Sequence, residues 1–198
     1  MHILTTTSAS LDDLVEPVDL GQLPAEMVVA SFTDSDLAAL AAAWRAERHD
    51  LPSLRLAGLR DLRHPMSVDL WIDRAAGHAR IIVLRLLGGL DWWRYGAERL
   101  AEVARTRGIA LAVLPGEDRD DPRLSGLSTV PAAELAALLG YFRAGGVANM
   151  RALLRRLAGA GVAAAVETPA AGWYDGAALS PTPTLPRTRE SGQTHAPF

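Results

Sequence analysis

Four short apolar runs, each separated from the next by a helical pattern, constrain this chain more than any other feature. They are Met27–Phe32 (MVVASF), Leu54–Ala57 (LRLA), Arg80–Leu84 (RIIVL) and Ile109–Leu114 (IALAVL). Their β-branched content and lack of in-out alternation suit parallel strands covered on both faces. His2–Leu4 is a fifth candidate strand. Between the runs, Asp34–Arg48 sets Leu37, Leu40, Ala41 and Trp44 on one stripe. Thr33 and Asp36 have capping-box spacing there, and Arg45 and Arg48 suit the negative end of the helix dipole. Met66–Ala76 carries Val68, Trp71, Ile72 and Ala75, with Pro65 in its first turn and Gly77 as its stop. Trp92–Arg107 turns Trp93, Ala97, Leu100 and Ala104 inward and stops at Gly108. Pro131–Ala144 is a further helix, and Met150, Leu153, Leu154 and Leu157 mark a last one ending at Gly159.

Strand and helix in alternation predict an α/β fold, a three-layer doubly wound and mostly parallel sheet of flavodoxin or Rossmann type. The folded domain is expected over residues 1–160. Residues 161–198 read as an irregular to disordered tail, because from Ala177 onward proline is frequent and periodicity vanishes.

Composition narrows the chemistry. The 198 residues are 49% hydrophobic and 22% charged, enough for one sizeable core with an appendage. A net charge of −3, from 20 basic and 23 acidic residues, argues against a surface that seeks nucleic acid or coats a membrane. With no cysteine there is no thiol nucleophile, disulfide or zinc ribbon. Every basic residue is arginine, so a Schiff-base lysine, a lysine general base and the lysine of a P-loop are all excluded. Met1–Ser10 lacks the pattern of a secretory signal, and the longest apolar stretch, Ile81–Leu90, is interrupted by Arg85 and two glycines. The cytoplasm is the expected location.

In a doubly wound sheet the ligand crevice lies beyond the carboxyl ends of the strands. That selects the loops Ser31–Asp34, Leu59–His64, Arg85–Asp91 and Pro115–Pro122. In the third, Gly88 and Gly89 let the backbone approach a ligand at the start of a helix, where an anion is favoured, and Arg85 can add a bidentate contact. The alternative is a tight turn with Asp91 capping the helix. His64, before Pro65, is placed to ligate a metal or to move protons, or simply to bond the backbone of its own turn. His2, His49, His78 and His195 show no ligand spacing. The acidic loop Glu117–Asp121 reads as a hard-cation site or a solvated turn. Arg151, Arg155 and Arg156 lie opposite the last helix's apolar stripe, on its water-facing side. Thr5–Ser10 is rich in hydroxyls but has no glycine for a phosphate cradle.

Read as longer words, four stretches carry a resemblance. They are DLGQLPAEMVVASFTDSDLAAL (Asp19–Leu40), LPSLRLAGLRDLRHPMSVDLWIDR (Leu51–Arg74), HARIIVLRLLGGLDWWRYG (His78–Gly96) and RGIALAVLPGEDRDDPRLSGLSTV (Arg107–Val130). In that order they resemble the amino-terminal region of the aerobic cobaltochelatase large subunit, of the CobN and magnesium-chelatase H-subunit family. HPMSVD and RLLGG are the most specific of these words, and the likeness runs from about Met1 to Leu157.

The resemblance implies a part in cobalamin synthesis. Members bind a tetrapyrrole, hydrogenobyrinic acid a,c-diamide, and insert cobalt(II) into it while AAA+ partner subunits hydrolyse ATP with magnesium. Family large subunits are many times longer than this chain. The expectation is therefore a truncated amino-terminal portion that binds no cofactor of its own and does not insert cobalt alone, and no catalytic residue is carried over. Substrate contact is expected at His64, Arg85, Gly88 and Gly89. The tail around SPTPTLPRTRE departs from the family, as a shifted reading frame would. Two rival expectations are a non-catalytic structural or docking module and a flavodoxin-like binder of flavin or another small ligand.

Overall fold

The computed structural model describes residues 16–117 and 121–159. The candidate strand His2–Leu4, the hydroxyl-rich loop Thr5–Ser10 and the segment 161–198 lie outside the described residues. Four strands form one sheet: β1 (Met27–Ser31), β2 (Leu54–Gly58), β3 (Ile81–Leu86) and β4 (Ala110–Pro115). Their order is β2-β1-β3-β4 and every pairing is parallel, with Met27 opposite both Leu54 and Ile81, and Ile81 opposite Ala110. The fold is the expected α/β sandwich of helices on a parallel sheet.

Among the described residues six helices cover it: α1 (Asp34–Glu47), α2 (Pro65–Arg74), α3 (Arg94–Arg107), α4 (Pro122–Leu127), α5 (Ala132–Ala144) and α6 (Gly146–Gly159). Alternate strand residues feed two separate cores. Val28, Ala30, Ile82, Leu84, Leu111 and Val113 pack with Trp71 and Ile72 of α2, Leu100 of α3 and Leu124 of α4. Met27, Val29, Ile81, Val83, Ala112 and Leu114 pack with Leu40 of α1, Tyr141 of α5 and Leu153 of α6 on the other face. β1, β3 and most of β4 are therefore buried on both faces, which is why their sequences show no alternation, while the edge strand β2 is half-buried at Arg55, Leu56 and Gly58.

The local signals act mostly as expected. Pro65 occupies the first turn of α2, where its missing N–H costs nothing, and α3 ends at Gly108 in the left-handed region, φ 69°. Two expectations are corrected. Thr33 makes no capping hydrogen bond at the start of α1; Asp36 accepts from Ser31 Oγ at 3.1 Å and from Arg85 instead. The arginines of α6 are also not simply solvated. Arg155 forks onto Glu47 of α1 at 2.7 and 2.9 Å, and Arg156 onto Glu134 of α5 at 2.6 and 2.8 Å, tying three helices together.

Among the described residues, both sheet edges are met by side chains, and β4 also by the backbone N–H of Thr129, which donates to Leu111 O at 2.9 Å. Outside β4, Thr129 Oγ1 accepts from Leu111 N at 2.7 Å and Ser128 Oγ from Val113 N at 3.0 Å. Outside β2, Gln22 Nε2 donates to Leu56 O at 2.8 Å while its Oε1 accepts from the Trp71 indole at 3.0 Å. Unpaired edge groups invite other chains, and these contacts occupy them. Among the described residues no helix is long and apolar enough to cross a membrane.

Candidate functional site

The strands end in one direction at Ser31, Gly58, Leu86 and Pro115, and the four expected crevice loops leave from those ends. The chain steps outward from β1 to β2, then returns past β1 to β3, so the winding reverses between β1 and β3. Loops diverge at such a point and leave a hollow. Here its volume is about 330 Å³, and its lining crosses the width of the sheet. Arg60 and Arg63 come from the β2 side, Phe32 from β1, Leu87, Gly88 and Trp92 from beyond β3, and Glu117 from beyond β4.

Trp92 stands 70% exposed over this hollow, and Leu87 is exposed beside it. Arg63 has no hydrogen-bond or ion-pair partner among the described residues. Arg60 meets only Asp34, at 3.3 Å, and both side chains are mostly in water, where such a pair is weak. Two guanidiniums and an uncovered indole thus share one rim.

Gly88 and Gly89 shape the floor. Both have positive φ, 82° and 80°, which only glycine adopts easily. A Cβ on Gly88 would overlap the Trp92 ring, so the glycine also makes room for the indole. The Gly88 N–H donates to Glu117 Oε1 at 3.1 Å. The carboxylate expected at this turn is thus supplied by the protein itself. Behind the turn a second hollow of about 330 Å³ is lined by Gly89, Asp121 and Arg123 among others.

The other two expected site residues have internal partners, and neither lines these hollows. Arg85 NH1 meets Asp36 Oδ2 at 2.6 Å, each side chain being only 13% exposed, and its NH2 donates to Gly116 O at 3.3 Å. Its guanidinium also lies 4.9 Å from the centre of the Phe142 ring, a cation–π distance. Arg85 therefore clamps β3, α1 and the end of β4 beneath the crevice. His64 caps α2, its Nδ1 accepting from Met66 N at 3.1 Å, which in the neutral ring leaves the proton on Nε2.

The acidic loop resolves into caps and ion pairs at its described ends. Asp121 caps α4 by accepting from Arg123 N at 3.0 Å. Hydrogen bonds from Arg123 hold the Asp121 carboxyl down at about 2. Asp91 is lowered too, first by its bond to Arg94 and then by Arg123. No group of three or more His, Asp or Glu among the described residues is placed to hold a metal ion. Next to Arg94, Tyr95 donates to Asp69 at 2.8 Å, which with partial burial raises the phenol above its usual range.

The hollow lies among the loops that the carboxyl-end rule selects, but Arg60, Arg63 and Trp92, which line it, carry no sequence pattern that marks them. The nearest signal is a pair of arginines three residues apart in the loop before His64. Nothing periodic orients loop side chains, so the spacing alone could not say that Arg63 would be free and Arg85 buried.

No family model matches the chain. Two curated relatives do, each described as an aerobic cobaltochelatase subunit CobN. The one from a Sinorhizobium species is 44% identical over 149 residues, 75% of this chain. The one from Pseudomonas aeruginosa is 44% identical over 160 residues, 80% of this chain. The chain spans only 12% and 13% of their respective lengths. A solved structure, the catalytic subunit of cobaltochelatase from Mycobacterium tuberculosis, superposes with a TM-score of 0.57 at 22% identity, over 75% of this chain and 11% of that one. The structural likeness establishes the shared fold, and the 44% identity carries the kinship: this chain belongs to the CobN cobaltochelatase family, as a segment covering about an eighth of its relatives' length.

Proposed function

We propose that the crevice over β1 and β3 holds part of the rim of a carboxylate-bearing tetrapyrrole, as this segment's contribution to a cobaltochelatase large subunit. The observation that carries the reading is the pairing of a partner-free guanidinium, Arg63, with an exposed indole, Trp92, on one hollow. A guanidinium forks onto a carboxylate, and an indole face stacks on a flat conjugated ring. A hollow of about 330 Å³ is at the small end of ligand sites, so it suits one edge of a macrocycle with the remainder held elsewhere. In this reading cobalt(II) is a substrate delivered to the macrocycle, and AAA+ partner subunits supply ATP hydrolysis in the cytoplasm. Arg85 and His64 act on the framework: one, mostly buried, fixes the ends of β3 and β4, and the other caps α2 at the surface.

Titration with hydrogenobyrinic acid a,c-diamide tests this directly. The visible bands of the ligand should shift and tryptophan emission should fall, both saturating together. Arg63→Ala should weaken binding about tenfold, the loss of one charge-assisted contact. No saturable change at high micromolar protein would overturn the reading.

A further inference from the structure

Trp92 stands mostly in water, so burial does little to fix where its ring points. Among the described residues its indole N–H has no hydrogen-bond partner either. The ring rests instead against Gly88, where a Cβ would overlap it. Gly88 and Gly89 hold φ of 82° and 80°, and two successive glycines leave a backbone loose unless its polar groups are tied.

The ties come from the connection that follows β4. The Gly116 N–H donates to Leu86 O at 2.7 Å, and a Cβ on Gly116 would fall 2.8 Å from Leu87 Cα, so glycine lets the two loops nest. The next residue, Glu117, accepts the Gly88 N–H on Oε1 at 3.1 Å. Further along, the Asp121 carboxylate accepts the Leu90 N–H. Of these ties, that of Glu117 reaches the residue on which the indole rests. Gly88 and Glu117 also line both hollows, so the hydrogen bond between them stands in the shared wall.

We infer that Glu117 is a positioning residue: by holding the Gly88 N–H it keeps the glycine turn, and with it the Trp92 ring, set over the first hollow before any ligand arrives. The inference rests on reading that hollow as a ligand site and adds what orients its aromatic wall. An exposed tryptophan that turns freely gives up that freedom when it stacks, and the loss weakens binding. A tied glycine turn has given it up in advance. The part Glu117 plays requires an acceptor oxygen at that reach, which glutamine also supplies.

Incorporation of 5-fluorotryptophan into the full chain gives each of its five tryptophans a fluorine reporter, and the signal lost in Trp92→Phe is that of Trp92. Without ligand, Glu117→Ala should shift the Trp92 signal and leave that of the buried Trp71 in place. Glu117→Gln should keep the Trp92 signal at its parent position. Because Glu117 is exposed, Glu117→Ala should melt with the parent, which marks the shift as local. Titration with hydrogenobyrinic acid a,c-diamide, read by visible absorbance, should show Glu117→Ala weakened about fivefold, the size of one aromatic contact. In a Trp92→Ala background the same change should cost nothing further, since its effect passes through the indole.

A Trp92 signal unmoved by Glu117→Ala, or moved equally by Glu117→Gln, overturns the positioning role while leaving the hollow a ligand site. So does an equal loss of affinity with and without Trp92. A signal that moves as expected in a chain that binds no corrin overturns the ligand reading and leaves the clasp on Trp92 standing.

Discussion

At the scale of single residues, Arg85 and Arg63 illustrate how position decides what a guanidinium does. Arg85 leaves β3 on the face shared with Val83 and Ile81, so it enters the layer above Phe142 and meets Asp36 at 2.6 Å. Removing one member of a mostly buried pair strands the other charge. Arg85→Ala is therefore expected to lower stability by about 3 kcal/mol in chemical denaturation, and the double change Arg85→Met with Asp36→Leu to lose much less. A single variant as stable as the parent would show that the pair is solvated. Arg63 sits in a loop with no hydrogen-bond or ion-pair partner among the described residues, so Arg63→Ala is expected to leave stability nearly unchanged. The glycines follow the same rule: Gly88 is needed for its positive φ and because Trp92 lies against it.

At the scale of elements, the sheet depends on what closes its edges. The β4 edge ends its hydrogen-bonding on hydroxyls, with Thr129 Oγ1 accepting from Leu111 N and donating to Ile109 O at 2.9 Å. Thr129→Val keeps the shape and removes both contacts. The expected cost is about 1–3 kcal/mol from the orphaned Leu111 amide, seen as a lower melting temperature. The freed edge should also increase self-association in sedimentation, because an open strand pairs with another copy. An unaltered melt would mean that water replaces the hydroxyl. The α4 helix is the element that periodicity did not reveal. Its six residues (PRLSGL) are too few to show a period, and it is specified by Asp121 at its cap and Pro122 in its first turn.

At the scale of the whole molecule, one sheet separates two cores that share every strand, so neither can form alone. Leu84 belongs to the layer with α2 and α3, and Leu153 to the layer with α1 and α5, and both are fully buried. Leu84→Ala and Leu153→Ala should each cost about 2–5 kcal/mol, and each should move the same single transition. The check is coincidence of circular dichroism with tryptophan emission, since Trp71 and Trp93 report one layer and Trp44 adjoins the other. Two separate transitions would mean that the layers are independent units.

The positions of the strands and of five of the six helices were legible in the chain because they rest on local rules: apolar runs, period-3.6 stripes, a proline in a first turn and glycines at helix ends. The loops that the carboxyl-end rule selects are those that line the hollow at the strand ends. The sequence by itself determined that this is an α/β protein without cysteine or lysine chemistry, and the words around HPMSVD and RLLGG marked its kin. Tertiary structure alone decided that Asp36 turns to Arg85 rather than capping α1, that α6's arginines reach Glu47 and Glu134, and that Gly88 holds Glu117. Those contacts join residues between 22 and 108 positions apart. Which charge finds a partner and which remains free for a ligand depends on the order in which the strands assemble, and no local pattern encodes that order.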